Sequence, residues 1–213
     1  MTKTLWCAET ATMAYVDTVK AVKPTGFPTN AVELVSAMAA GSRAQLIVEA
    51  WARGDGMATS IGLAIASRHT GGRHVCVVPD ERTQMEYEEG AGRAGVEAEV
   101  LVGEAEEVMR SLPDVDFVVV DCRRKDFAKV LRFVKIGTKG AFLVGKHAGQ
   151  RGFRWRGVVG NGMRIVRSAF LPAGKGTEIA QIVLGGGLTH SSGKSRWIKH
   201  FDHCTGEEHV FRR

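Results

Sequence analysis

A chain of 213 residues with 44% hydrophobic and 24% charged residues can bury one full core, which excludes a disordered or low-complexity protein. No apolar run reaches the roughly 18–20 residues of a membrane helix, and the stretch MTKTLWCAETATMAYVDTVK has acids but no continuous apolar centre, unlike a secretory signal. The net charge of +6 is moderate, with acids gathered in 80–107 and bases in 123–156 and beyond Lys194, an asymmetry that suits a mixed solvated surface or an anionic partner. Cys7, Cys76, Cys122 and Cys204 show no CxxC spacing, so reduced thiols and a cytoplasmic protein without a membrane partner are expected.

Residues 8–21 read as a helix with Met13 and Val16 on its apolar face. After a Pro-containing linker, Asn30 stands where a second helix would be capped, with Glu33 three residues on. Strand-like runs at Ala44–Glu49, His74–Val78, Ala98–Val102, Val115–Val120 and Gly140–Val144 then alternate with helical stretches at 57–69, Glu81 to about Ala94, 104–111 and 125–135. This is the rhythm of βαβ units and an α/β fold with a parallel sheet. Val115–Val120 is almost wholly apolar, as a centre strand covered on both faces should be.

The rhythm changes after residue 150. Met163–Leu171 and Thr177–Leu184 are joined by Pro172-Ala-Gly-Lys-Gly176, a turn that predicts an antiparallel closing hairpin. Residues 1–185 therefore read as one domain, and 186–213 as a basic, polar tail with little periodicity. His190, His200, His203, Cys204 and His209 in that tail have no familiar zinc spacing, and scattered surface histidines are the simpler account.

The most informative stretch is LIVEAWARGDGMATSIGL, residues 46–63. A strand ends in an acid, Glu49; a loop with Gly54 and Gly56 follows, then a helix of small residues. That order holds nucleotide-like cofactors at the first turn of a doubly wound sheet. Yet Trp51 stands where such a loop needs a residue without a side chain.

The order of elements, FLPAGKGTEIAQIV, VVVDCRRKDF and LVGEAEEVM together resemble the class I S-adenosylmethionine-dependent methyltransferases, most closely the caffeoyl-coenzyme-A and catechol O-methyltransferase group, over about residues 30–185. HTGGRHVCVVPDE, VDFVVVDCRRKDF and GEEHVFRR make the whole chain similar to a plant family of uncharacterised methyltransferase-like proteins. The resemblance implies a Rossmann-like sheet of seven mostly parallel strands closed by an antiparallel C-terminal hairpin. It also implies S-adenosylmethionine as cofactor, a small-molecule substrate and a homodimer.

By the same resemblance, Glu49 would accept from the methionine amino group, with Trp51, Gly54 and Gly56 in the cofactor loop. Asp80 would grip the ribose or else cap the next helix, and the Gly103-Glu104-Ala105 turn would meet the adenine. Asp121 stands where the group binds a divalent cation, but Lys146-His147 replaces the Asp–Asn pair that completes the site, and an ammonium is no ligand. The expectation is therefore no metal, a Lys146–Asp121 pair in its place, and Lys146 or His147 as general base. Arg123 and Arg124, with Lys125, would meet phosphate or carboxylate on a substrate, or form the solvated start of a helix. RGFRWRG at 151–157 would present Arg154 and Trp155 to a substrate or, less readily, to nucleic acid. The readings are a metal-independent methyltransferase, a catalytically silent descendant that binds a different ligand or a protein partner with Trp51 blocking the donor pocket, and, weakest, a nucleic-acid binder.

Overall fold

Chain order resolves into helices α1 (Ala8–Val22), α2 (Val32–Gly41), α3 (Ala58–Thr70), α4 (Glu81–Ala94), α5 (Ala105–Ser111) and α6 (Phe127–Phe133). The strands are β1 (Leu46–Ala50), β2 (Arg73–Val78), β3 (Glu99–Val102), β4 (Phe117–Asp121), β5 (Ala141–Lys146), β6 (Met163–Leu171), β7 (Thr177–Leu184), β8 (Trp197–Phe201) and β9 (Glu208–Arg212). The structure is a computed structural model, and it describes residues 6–26, 31–150, 153–173, 175–185, 197–201 and 208–212.

Seven strands form one sheet in the order β3-β2-β1-β4-β5-β7-β6. Pairing is parallel from β3 to β5, and β7 runs antiparallel to both β5 and β6. This is the predicted Rossmann-like arrangement. The chain leaves β1 toward β2 on one side and returns to β4 on the other, so a crevice opens beyond the carboxyl ends of β1 and β4. The predicted hairpin closes the sheet, and β6 forms its outer edge. There Val166 is an extra residue, a bulge between Ile165 and Arg167.

Strand alternation divides the core in two. Ile47, Cys76, Val78, Phe117 and Val119 face α1–α4, whereas Val48, Ala50, Val77, Val118 and Val120 face α5 and α6. Helix α3 is buried from Ala58 through Ser67, because the sheet covers one side and α1 with α2 the other. Gly62 permits that approach: a Cβ there would lie 3.0 Å from Val32 Cγ1 and 3.4 Å from Thr18 Cγ2. A buried relay ties the three helices, with Thr18 Oγ1 donating to Ser36 Oγ at 2.8 Å and Ser36 Oγ donating to the Gly62 carbonyl at 2.7 Å.

Several sequence expectations shift. The buried face of α1 is Ala11, Ala14, Thr18 and Val22, and Met13 and Val16 are exposed instead. Small side chains let α1 approach α2 and α3 closely, and larger ones would hold it off. Asn30 lies outside the described residues, and Ala31, with φ 68°, occupies the N-cap of α2. Helix α6 is shorter than the pattern at 125–135, because Asp126 is drawn into a side-chain pair described below. The tail carries a pairing the sequence did not reveal, the β8–β9 hairpin. His200 and His209 fall on those strands, and His190, His203 and Cys204 lie outside the described residues.

Ser36→Ala breaks the three-helix relay and leaves the Thr18 hydroxyl buried without its acceptor. The expected loss is about 1–3 kcal/mol in urea unfolding, with the m-value unchanged.

Candidate functional site

The crevice at the switch point is a cleft of about 450 Å³, within the range of small-molecule sites. Trp51, Ala52 and Arg53 after β1, Pro79 and Thr83 after β2, Glu104 after β3, and Arg123 to Asp126 after β4 line it. Of the residues predicted for the site, it gathers Trp51, Glu104, Arg123 and Arg124.

Arg124 is built into the floor. Its Nη1 donates to the carbonyls of Trp51 at 2.8 Å and Val77 at 2.7 Å. Its Nε and Nη2 form a bidentate pair with Asp126 at 2.8 and 2.7 Å. Burial pushes the Asp126 carboxyl up, but the Arg124 guanidinium outweighs it and holds the group below its ordinary range. Arg124 thus serves the crevice as a strut, not as the free substrate contact the sequence suggested.

Beyond β4 and β5 runs a chain of charges. Arg123 Nε lies 3.0 Å from each Asp121 oxygen, its Nη2 2.6 Å from Oδ2, and its backbone N–H donates to Oδ1 at 2.8 Å. The same Nη2 reaches Asp55 Oδ1 at 3.0 Å. Lys146 Nζ donates to Asp55 Oδ2 at 2.5 Å and to Thr59 Oγ1 at 2.8 Å. His147 Nδ1 stands 3.2 Å from Asp121 Oδ1. Its backbone is left-handed at φ 58°, which a non-glycine residue adopts only when its surroundings enforce it.

One expectation needs correction here. Lys146 pairs with Asp55, and Asp121 is matched by Arg123 and His147. Burial pushes Asp121 up, yet the Arg123 bonds and the nearby positive charges hold its carboxyl below the ordinary range. Both of its oxygens accept from a guanidinium, so these residues do not suit a divalent cation. Among the described residues, no group of three or more His, Cys, Asp or Glu side chains is placed to hold one.

The residues expected to grip S-adenosylmethionine are placed as follows. Glu49 is 1% exposed and shares the α3–α4 face with Cys76 and Tyr87; its Oε2 lies 3.3 Å from His74 Nε2. Burial pushes both the Cys76 thiol and the Tyr87 hydroxyl up, and the Glu49 carboxylate adds to each. Trp51 is buried edge-on against Tyr87, ring centres 5.5 Å apart. The Gly54 N–H donates to Glu86 Oε1 at 3.0 Å while Arg53 Nε donates to Oε2 at 2.7 Å, pinning the loop that carries Gly56 to α4. Asp80 caps α4, its Oδ1 accepting from the Thr83 N–H at 2.7 Å and Oγ1 at 2.8 Å. Those bonds hold the Asp80 carboxyl below its ordinary range. Gly103 has φ 150° and its N–H is taken by the Val78 carbonyl, Glu104 lines the cleft, and Ala105 is buried in the core. The loop N–H of Gly54 is thus engaged within the protein, and the Glu49 carboxylate is buried with no hydrogen-bond partner among the described residues and away from the cleft lining, so the usual grip is not presented.

Trp155 corrects another expectation. It is buried, its Nε1 donates to Glu178 Oε2 at 3.0 Å, and Phe153 packs edge-on at 4.7 Å. Phe153 also covers Gly145, where a Cβ would lie 3.7 Å from its ring. Arg154 is exposed, and Arg151 lies outside the described residues. The sequence reading missed Asp55, Glu86, His74 and Asp126; the acid between two loop glycines, Gly54-Asp55-Gly56, was the available signal for one of them.

The model of a family described as "Protein of unknown function (DUF1442)" matches residues 2–213. The chain belongs to that family. No curated protein matches it in sequence. Among solved structures, this DUF1442 member is similar to a methyltransferase from Geobacter sulfurreducens, with a TM-score of 0.54 and 19% identity over 80% of this chain and 88% of that one. It is also similar to the SAH-bound Podospora anserina methyltransferase PaMTH1, at 0.56 and 14% over 80% and 87%. A third is a candidate caffeoyl-CoA O-methyltransferase from Staphylococcus aureus, at 0.54 and 10% over 78% and 91%. At these identities the likeness establishes the methyltransferase-like Rossmann fold.

Asp121 supplies a pH test. Its folded-state pKa is held below the unfolded value of about 3.9, so its contribution is complete above that pH and is lost as the pH falls through the lowered value. Asp121→Asn should cost about 1–3 kcal/mol near neutral pH. The gap from the parent chain should narrow below about pH 4, measured by urea unfolding at stepped pH.

Proposed function

We propose that this DUF1442 protein is a methyltransferase-fold binder of a small acidic metabolite, and that its crevice does not take S-adenosylmethionine by the fold's usual grip. The observation that carries this reading is the pair Glu49 and Trp51: the acid faces His74 inside the core, and an indole stands where the donor needs open backbone. The cleft nevertheless persists, with Trp51, Ala52 and Pro79 as an apolar wall and Arg123, Arg124 and Lys125 opposite. The three arginines of the lining, Arg53, Arg123 and Arg124, already have carboxylate partners, so among the described residues of the lining Lys125 is the cation left to a ligand's carboxylate or phosphate. Phe153 and Trp155 pack inward, which weighs against a base-stacking loop for nucleic acid. Cys7, Cys76 and Cys122 form no disulfide among the described residues, in keeping with a reducing compartment such as the cytoplasm, and no described helix is long and apolar enough to cross a membrane.

The rival reading, metal-independent transfer of a methyl group to a small metabolite, has one observation in its favour. Asp121 orients the His147 ring through Nδ1, an arrangement that leaves Nε2 to act as a base toward a bound hydroxyl. Lys146 is engaged by Asp55 and drops out of that role.

Isothermal titration with S-adenosylmethionine separates the two. The expected outcome is no heat at millimolar ligand for the natural chain and measurable binding by Trp51→Gly. Binding by the natural chain overturns the proposal in favour of the rival, for which His147→Ala must then abolish methyl transfer to an acceptor.

A further inference from the structure

A second cavity, of about 300 Å³, opens at the amino-terminal end of the parallel strands, away from the crevice. Arg68 near the end of α3, Gly71 and Gly72 in the turn that follows, His74 near the start of β2 and Glu97 before β3 all line it. His74 and Val78 are four residues apart on β2, so roughly 13 Å of strand separates this cavity from the crevice. The turn needs its glycines: Gly71 closes α3 at φ 66°, and a Cβ at Gly72 would lie 2.6 Å from the Ala44 carbonyl oxygen. Backbone alone therefore forms that wall. His74 is 5% exposed, and neither ring nitrogen has a hydrogen-bond partner among the described residues. Buried polar nitrogens are rarely left so. Nε2 stands 3.3 Å from Glu49 Oε2, which leaves Nδ1 for a group entering from the cavity.

The charges around the cavity select its occupant. Nearby, Arg73 pairs with Glu99 and His69 with Asp17. Arg68 and Glu97, which line the cavity, have no ion-pair partner among the described residues and do not pair with each other. A simple anion here would face Glu97 and the negative end of the α3 dipole, and a simple cation would face Arg68. A molecule that carries both charges matches all three. We infer that this cavity binds a small free α-amino acid. Its carboxylate takes the Arg68 guanidinium, its ammonium faces Glu97 and the end of α3, and His74 Nδ1 supplies the third, buried bond. A volume of about 300 Å³ is at the lower limit of small-molecule sites, so the side chain of that amino acid is short. None of these residues lines the crevice, and the two sites stand or fall separately.

Saturation-transfer NMR on the full chain with millimolar glycine, L-alanine, L-serine and L-threonine tests this. Isothermal titration then ranks the best of the four against its own amide and its hydroxy-acid analogue. The amino acid should bind about tenfold more tightly than either, since each analogue lacks one of the two charges. Arg68 and Glu97 are exposed, so Arg68→Gln and Glu97→Gln should fold, as circular dichroism can confirm, and each should weaken binding about tenfold. The His74 imidazole resonances should move as ligand is added. Absence of transfer from all four amino acids overturns the inference. An amide or hydroxy acid that binds as tightly marks a simple cation or anion site and overturns it too, as does binding indifferent to both substitutions. Loss of binding in Lys125→Gln places the ligand in the crevice and rejects this cavity.

Discussion

Near the carboxyl ends of the parallel strands β1 and β2, the carbonyls of Trp51, one residue past β1, and of Val77 take a donor from elsewhere in the chain. Arg124 supplies it from the loop after β4, bonding Trp51 O and Val77 O through one nitrogen and Asp126 through two others. A guanidinium so deeply buried would be costly alone, and it persists because a carboxylate and two carbonyls share its donors. The rest of the crevice follows. The tie draws the β4–α6 loop against the ends of β1 and β2, sets Arg123 and Lys125 around the cleft, and fixes the Trp51 backbone from which the indole reaches Tyr87.

The same site carries its own counter-ions. Lys146, Asp55, Arg123 and Asp121 form a row in which each charge meets an opposite neighbour within 3.0 Å, and the His147 ring ends it 3.2 Å from Asp121. An ammonium and a guanidinium hold together carboxylates that would otherwise repel, and Asp121 stays ionised although fully buried. A region so balanced is rigid and nearly neutral, which leaves ligand recognition to the cleft beside it.

Much of the fold was legible because burial on two faces writes itself as apolar runs. Val118-Val-Val120 marks a centre strand, and Pro172 to Gly176 marks a hairpin, whatever the rest of the chain does. The site was harder, since its residues meet through strand register. Glu49 pairs in register with Cys76, and His74 lies two residues earlier on the neighbouring strand, a relation no local pattern displays. Asp55 and Lys146 are 91 residues apart. Helix α1 misled for a related reason: periodicity locates an apolar face, but Ala11 and Ala14 compete with Met13 and Val16, and only the presence of α2 and α3 decides between them.

The outer strand β6 presents nine residues with one side unpaired in the sheet, including exposed Val166 and Phe170. A flat strand of that length is a template on which further chains can add without limit. Here Val166 kinks the ladder, and exposed Arg164 and Arg167 flank the kink. A second β6 approaching edge to edge would meet like charge and a mismatched register. Among the described residues that outer side has no pairing strand, and the bulge with its two arginines makes it a poor template for another strand.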